Sequence, residues 1–204
     1  MNDSKATPVV RAAVSFTRMD RGTVADYALL DELAKPYIAK TGERALAYLE
    51  NLKGGFPGYQ VDRYEHSLQT ATRALRAGEC EEIVVAALLH DIGDDLAPEN
   101  HAEVGAGVLR PYVAKHTYWM VLHHGLFQGY YYFDKIGGDA NAREQHRGHP
   151  AYGMTVRFCA DYDQLSFDPV YDTLSIDAFV PMVERVFARK PWGEHTARDW
   201  PNGA

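Results

Sequence analysis

The sequence predicts an all-α fold, a bundle of helices around a buried metal site. Apolar residues recur at helical spacing along most of the 204 residues, whereas the alternation typical of strands is nearly absent. An apolar run over residues 83–89 ends in His90 and Asp91. This order places two ionisable side chains at a buried helix end, where each needs a partner. Further histidines on other predicted helices would point into the same cavity.

The first 22 residues carry no strong period, and we expect them to form an N-terminal extension to a single domain over residues 23–204. Thr23 is the predicted N-cap of a helix over residues 25–39, which Pro36 should disturb. The apolar face of this helix comprises Tyr27, Leu30, Leu33 and Ala34.

Helical periodicity and turn residues predict seven further helices. They cover residues 43–52, 65–77, 81–91, 101–110, 113–124, 150–162 and 176–188. Residues 125–149 are predicted to be one long irregular stretch, and such stretches in compact domains are usually functional or disordered. Its aromatic residues 130–133 indicate order. These aromatic rings either pack at the edge of the domain or line the substrate cavity.

Composition and charge exclude several classes of function. The formal net charge is −7 and no basic stripe is present, which argues against a nucleic-acid partner. No apolar run approaches the roughly 20 residues of a membrane span. Cys80 and Cys159 are isolated, which is typical of a reducing compartment. We therefore expect a cytoplasmic protein with a small-molecule substrate, and the sequence leaves its oligomeric state open.

His90 and Asp91 together suit a divalent metal, because imidazole nitrogen and carboxylate oxygen bind iron, manganese and zinc. The alternative is a histidine that caps its own helix beside a surface aspartate. Further candidate ligands on or beside predicted helices favour the metal: His66, His101, His123, His124, Asp161 and Asp163. Asp91 offers two carboxylate oxygens, which is what a bridge between two metals requires.

Two short motifs stand out: Glu-His-Ser-Leu-Gln at residues 65–69 and Ala-Leu-Leu-His-Asp-Ile-Gly at residues 87–93. Together with His101, His124 and a late aspartate, they resemble the HD-domain superfamily of all-helical metalloenzymes. The resemblance covers roughly residues 55–190 and implies an HD-domain helical bundle. Most members hydrolyse phosphate esters. A branch with six ligands, typified by myo-inositol oxygenase and the PhnZ-type phosphonate oxygenases, oxidises a C–H bond with O2 at a mixed-valent di-iron site. The segment from His101 and the sequence after His124 are most similar to the PhnZ-type enzymes.

The resemblance implies two iron ions, Fe2+ and Fe3+, with manganese or another divalent metal as the alternative. His66, His90, Asp91 and the late aspartate would hold one ion, and Asp91, His101 and His124 the other. In the family an aromatic residue usually precedes the last ligand. Tyr162 precedes Asp163, so Asp163 is preferred to Asp161. His123 is expected to face away or to orient a ligand or a water.

Departures from the PhnZ-type pattern concern the substrate. Gln128 and Ala160 stand where those enzymes have a lysine and an arginine, and Asp94 follows the His-Asp pair. Tyr59 lies in the segment that aligns with their lid motif. The candidate catalytic residues are therefore Asp94, Gln128 and Tyr59. We expect a neutral or ammonium-bearing substrate rather than a phosphonate. Asp94 would either attract the ammonium through an unpaired carboxylate or cap its turn, and the rings of residues 130–133 would add cation–π contacts.

The sequence is compatible with three functions. The first is an iron oxygenase that oxidises a small hydroxylated compound. The alternative is a metal-dependent phosphohydrolase, of the nucleotidase or dinucleotide phosphatase type, in which Asp94 transfers protons. Few cations lie near the predicted site, which counts against hydrolysis unless the long loop folds inward and supplies them from Arg63, Lys135, Arg143 and Arg147. The third is a binding module without catalysis, against which the intact ligand set counts.

Overall fold

The computed structural model describes residues 12–197. These residues form α-helices, 3-10 turns and one π-helix, with no strand among them, as the sequence predicts. The chain divides into two compact units, Met1–Thr41 and Gly42–Ala204. The first helix thus belongs to the N-terminal unit, whereas the sequence placed the boundary after residue 22. Residues 1–11 of the predicted extension, and 198–204 of the predicted domain, lie outside the described residues.

The N-terminal unit contains α1, Val24–Ala39. Thr23 caps it as predicted, because its side chain accepts a hydrogen bond from the Asp26 amide while the Asp26 carboxylate accepts one from the Thr23 amide. The amide of Ser15 also donates to Asp26, and these bonds lower the pKa of Asp26 to about 2. The helix continues through Pro36 to Ala39. Its predicted apolar face is more than a third exposed at Tyr27, Leu30 and Leu33.

The remaining helices agree with the predicted ones in number and order, with shifted ends. They are α2 Thr41–Leu49, α3 Arg63–Arg76, α4 Glu81–Leu89, α5 His101–Leu109, α6 Lys115–Gln128, α7 Tyr152–Arg157 and α8 Val180–Phe187. None of the helices within residues 12–197 has the length and apolar character that a bilayer span requires.

Helix α4 is the centre of the second unit. Its side chains from Glu82 to Leu89 are all buried, and α3, α6 and α8 pack around it. A helix that is apolar on every side is stable only in such a position. Its one buried charge, Glu82, accepts hydrogen bonds from the amide of Ala114 and the hydroxyl of Thr117. Glu82 thereby caps the start of α6 and fixes that helix, which carries His124, to the core.

Two predicted segments differ in the structure. The stretch over residues 125–149 is not irregular: α6 runs on to Gln128 because Phe127 is fully buried, and 3-10 turns follow at Gly129–Tyr131, Phe133–Ile136 and Ala142–His146. The helix predicted over residues 150–162 is the short α7 followed by a π-helix, Phe158–Asp163. A turn of π-helix contains one more residue than a turn of α-helix, so the side chains that follow it point in a different direction.

Candidate metal centre

Four histidines from four helices present the same nitrogen to one buried space. The Nδ1 atoms of His66, His90, His101 and His124 lie 2.7–2.9 Å from the backbone oxygens of Ser166, Ala87, Pro98 and Val121 respectively. A carbonyl oxygen only accepts, so each Nδ1 carries a proton, and Nε2 is the ring nitrogen left to bind a metal. This is how proteins orient histidines that bind metals.

The Nε2 atoms of His66 and His90 face each other at 3.2 Å. Two lone pairs that face each other at this distance repel unless a proton or a cation lies between them. Asp163 Oδ1 completes the group, at 3.3 Å from His66 Nε2 and 3.7 Å from His90 Nε2. All three side chains are buried, and their ligand atoms lie close enough together to hold one metal ion.

Asp91 faces two groups of histidines with its two oxygens. Its Oδ2 lies 3.5 Å from His66 Nε2 and 3.6 Å from His90 Nε2. Its Oδ1 lies 3.3 Å from His101 Nε2 and 3.1 Å from His124 Nε2. His90, Asp91 and His124 also form a compact group that could hold a metal ion. The carboxylate is therefore shared, with one oxygen directed to each side.

Asp163, and not Asp161, lies in the cluster. Asp163 is buried and Asp161 is exposed, because the π-helix turns Asp163 inward beside the end of α6. The side-chain amide of Gln128 donates to Asp163 Oδ1 at 2.8 Å. Asp163 Oδ2 is buried and has no hydrogen-bond partner within residues 12–197. Buried oxygens of this kind are rare in proteins, and a bound cation would satisfy this one.

Both carboxylates stay ionised. Burial alone would raise the pKa of Asp91, but the surrounding imidazoles, those of His90 and His124 above all, hold it well below its usual range. Burial likewise opposes ionisation of Asp163, and the facing imidazoles of His66 and His90 lower its pKa. Ionised carboxylates and unprotonated imidazoles are the donors that transition metals prefer, so the six side chains fit two cations that share Asp91.

A cavity of about 340 Å³ opens onto this cluster. His101 reaches it with a side chain that is 24% exposed, whereas His66 and His90 are buried behind it. The other walls are aromatic, polar or charged. They are Tyr59, Arg63, Gly125, Gln128, Tyr131, Tyr132, Gln164 and Phe167. Two of the three predicted catalytic residues, Tyr59 and Gln128, thus line the cavity.

Asp94, the third predicted catalytic residue, lines a neighbouring cavity of about 450 Å³. The expectation that its carboxylate is unpaired is wrong, because Arg63 Nε lies 3.6 Å from Asp94 Oδ2. The same guanidinium reaches Asp91 Oδ2 with Nη1 at 3.3 Å and stacks over the Tyr59 ring. The expected shortage of cations near the site is therefore also wrong. Arg63 lies one helical turn before His66, and this spacing in the sequence could have predicted a cation beside the metal cluster.

The aromatic residues of the long stretch divide between the two expected roles. Tyr131 and Tyr132 line the cavity, whereas Tyr130 stacks under Arg143 and Phe133 packs against Gly129. His123 faces away from the cluster, as expected, and stacks on Trp119. Phe167, which stacks on His66 with ring centroids 4.4 Å apart, has no signal in the sequence.

Residues 63–157, from the start of α3 to the end of α7, match the family model of the HD domain. The chain contains an HD domain. Five of the six clustered side chains lie within the match and Asp163 lies beyond its end. The HD domain therefore supplies most of the site, and the π-helix after it completes the cluster.

The chain is also similar to a curated protein from Leisingera caerulea, [1-hydroxy-2-(trimethylamino)ethyl]phosphonate dioxygenase (glycine-betaine-forming). The two are 44% identical over 66 residues. The match covers 27% of this chain and 34% of the relative, so the chain spans about a third of that relative's length.

Proposed function

We propose that this chain is an oxygenase of the HD-domain type. It uses O2 and two iron ions, Fe2+ and Fe3+, to oxidise a C–H bond of a small hydroxylated substrate that is neutral or carries an ammonium group. The observation that carries the proposal is the arrangement at Asp91, whose two oxygens face two groups of histidines. The dioxygenase from Leisingera caerulea supports the oxygenase part of it, since the name of that relative describes a dioxygenase of a phosphonate that carries a hydroxyl and a trimethylamino group.

His66, His90, Asp91 and Asp163 would hold one iron, and Asp91, His101 and His124 the other. When bound, such a pair supplies Lewis acidity toward the substrate hydroxyl and electrons for the reduction of O2. The second position is the accessible one, because His101 borders the open cavity. His66 and His90 are shielded from solvent by the surrounding helices.

Gln128 is the residue that we expect to contact the substrate hydroxyl. Its amide nitrogen donates to Asp163, which fixes the orientation of the side chain. Its Oε1 is then left buried, and no donor among the described residues reaches it. A substrate hydroxyl in the cavity would donate to this oxygen and restore the missing hydrogen bond.

Tyr131 and Tyr132 provide ring faces for an ammonium group. Both line the cavity, and burial raises the pKa of each phenol, so both rings stay neutral. A cation over a tyrosine ring gains about 0.5–2 kcal/mol, depending on how far it is desolvated.

The second candidate function is a metal-dependent phosphohydrolase, and Arg63 is the observation that favours it. A guanidinium at the edge of the cavity can hold a phosphate with two parallel hydrogen bonds. The same metal cluster would then activate a water.

The test measures oxygen uptake and phosphate release side by side. Protein reconstituted anaerobically with iron is mixed with O2 and a panel of small hydroxylated compounds, including choline, and separately with a panel of nucleotides. We expect oxygen uptake that depends on both iron and one of the hydroxylated compounds. Metal-dependent release of phosphate without oxygen uptake from any compound would overturn the oxygenase in favour of the hydrolase.

A further inference from the structure

A third cavity, of about 470 Å³, shares no lining residue with the two cavities beside the metal cluster. It is bordered by the end of α5, the start of α6 and the segment after α8. Three of its walls are aromatic, Tyr118, Trp119 and Trp192, and two are basic, Arg110 and Lys115. No carboxylate is among the described residues that line it. The cavity is therefore locally positive in a chain whose formal net charge is −7.

Arg110 is held in this cavity by aromatic rings. Its guanidinium carbon lies 5.0 Å from the centroid of the Tyr118 ring and 5.7 Å from that of the Trp192 ring. No carboxylate within residues 12–197 pairs with it, and none of its side-chain donors has a hydrogen-bond partner there. Ring contacts use the faces of a guanidinium, so the N–H groups at its edge are left for a planar anion.

Trp192 has a strained backbone. Its φ is +58°, and within residues 12–197 it is the one residue other than glycine with a positive φ. A bulky side chain seldom adopts this conformation, and residues that do so concentrate at binding sites. The ring is 62% exposed, so burial in the core does not compensate for the strain.

The strained segment is fastened beside Arg110. The amide of Trp192 donates to the backbone oxygen of Pro111 at 2.9 Å, and the Nε2 atom of His195 lies 3.2 Å from the same oxygen. Pro111 directly follows Arg110, so these two contacts fix the exposed indole next to the guanidinium.

Of the two indoles in the cavity, only Trp192 has a ring face to offer. Trp119 lies between two imidazoles, with its centroid 4.0 Å from that of His123 and 4.0 Å from that of His149. Both of its faces are covered, and it borders the cavity with its edge. Trp192 has no aromatic ring stacked on it in the described part of the chain, and Arg110 is its one cation contact there. A flat ring can therefore stack on Trp192.

We propose that this cavity binds a small ligand that consists of a flat aromatic ring and an oxyanion, with the ring on Trp192 and the oxyanion on Arg110. The 5.7 Å between the guanidinium carbon and the Trp192 centroid requires the two parts of the ligand to be close together. A mononucleotide and an aromatic carboxylate share this chemistry. Since the cavity is separate from the metal cluster, the proposal is independent of the proposed function.

The test is calorimetric titration of the full chain, reconstituted with iron and kept without O2. The probes are two pairs that differ in charge, AMP with adenosine and 4-hydroxybenzoate with 4-hydroxybenzamide. We expect at least one of the two anions to bind, and to bind at least about tenfold more tightly than its neutral counterpart, since hydrogen bonds to charged groups are worth this factor or more. The anion that binds identifies the ligand as a phosphate ester or a carboxylate.

Two probes without a ring, glycerol 1-phosphate and acetate, measure the contribution of stacking. Each should bind at least about fivefold more weakly than the ring-bearing anion with the same charged group, because stacking on an aromatic side chain is worth this factor or more.

Variants of Arg110 and Trp192 assign the two parts of the ligand. Arg110→Gln should abolish the preference for the anion over its neutral counterpart, and Arg110→Lys should retain part of it. Trp192→Gly removes the ring at a φ that glycine adopts freely, so the variant should fold and should bind the anion at least about fivefold more weakly. Arg185→Gln, which changes an exposed arginine paired with Glu81 outside the cavity, is the control and should bind as the wild type does.

The proposal is overturned if neither anion binds, or if the anions bind no better than their neutral counterparts. Unchanged affinity in Trp192→Gly would show that the strained indole serves only the fold, and would equally contradict it. Binding that is lost when the metal is removed, yet is unchanged in Arg110→Gln and Trp192→Gly, would place the ligand at the metal cluster and overturn the assignment to this cavity.

Discussion

Gly105 lies directly against the backbone oxygen of His90, where a Cβ on residue 105 would stand 2.5 Å from that oxygen. Real Cβ atoms do not approach an oxygen so closely, so only glycine allows α5 to pack this near the end of α4. The contact lies one turn after His101. It therefore sets the distance at which His101 faces Asp91, 3.3 Å between Nε2 and Oδ1.

Gly105→Ala should destabilise the fold and weaken the accessible half of the metal cluster. The added methyl group would push α5 from α4, and overpacking of this kind costs about 1–3 kcal/mol. His101 would move away from Asp91. We expect a lower free energy of unfolding in denaturant, and a loss of metal that affects the position at His101 before the position at His66.

Gly107→Ala is the matched control on the same helix. Apart from its chain neighbours and the backbone of its own helix, no atom of residues 12–197 lies within 4 Å of the place where its Cβ would be. Alanine is the better helix former, so this variant should be neutral or more stable by up to about 1 kcal/mol. If both variants behaved alike, the close contact between Gly105 and His90 would have no importance for the site.

The two aspartates of the π-helix should differ sharply. Asp163→Asn removes a buried carboxylate that faces His66 and His90, so one metal should bind more weakly while the other remains. Asp161→Asn changes an exposed residue and should leave both. Metal content after gel filtration of each variant measures the difference. Loss of metal in Asp161→Asn alone would show that the π-helix turns the other way.

The histidines were predictable because their spacing in the sequence maps onto helices that a bundle must bring together. His66, His90 and His124 each lie on an apolar helical face, so burial of that face buries the ligand. Asp163 was predictable from the preceding Tyr162 and the resemblance, but the π-turn that directs it inward was not, because a π-turn has no strong local pattern. Whether these side chains bind iron stays a prediction.

Asp94 shows why the charge near the metal cluster was predicted wrongly from the sequence. Its carboxylate was expected to be unpaired because its partner, Arg63, lies 31 positions earlier in the sequence, on α3, whereas Asp94 lies in the turn after α4. A pairing between a helix and a distant turn depends on how the helices pack, which periodicity alone leaves undetermined. Phe167 was missed for a similar reason, since it reaches His66 from a segment without regular structure.

Only one of the two cysteines should react in the folded protein. Cys80 is exposed, whereas Cys159 is buried and its thiol donates to the backbone oxygen of His124. Burial raises the pKa of Cys159 well above the usual value, so it stays a thiol as the pH rises through the range in which an ordinary thiol ionises. A thiol-specific reagent at pH 8 should label one cysteine rapidly, and two after unfolding. Rapid labelling of both in the folded state would contradict the packing around His124.

Two metals that share Asp91 give a definite iron stoichiometry, which can be measured. Apoprotein is titrated with Fe2+ under anaerobic conditions, and Mössbauer spectroscopy after partial oxidation shows whether the ions are coupled. We expect two iron ions per chain that form a coupled pair, and loss of both in Asp91→Ala, because that substitution removes a ligand from each position. A single iron per chain in the wild-type protein, or an unchanged iron content in Asp91→Ala, would contradict it.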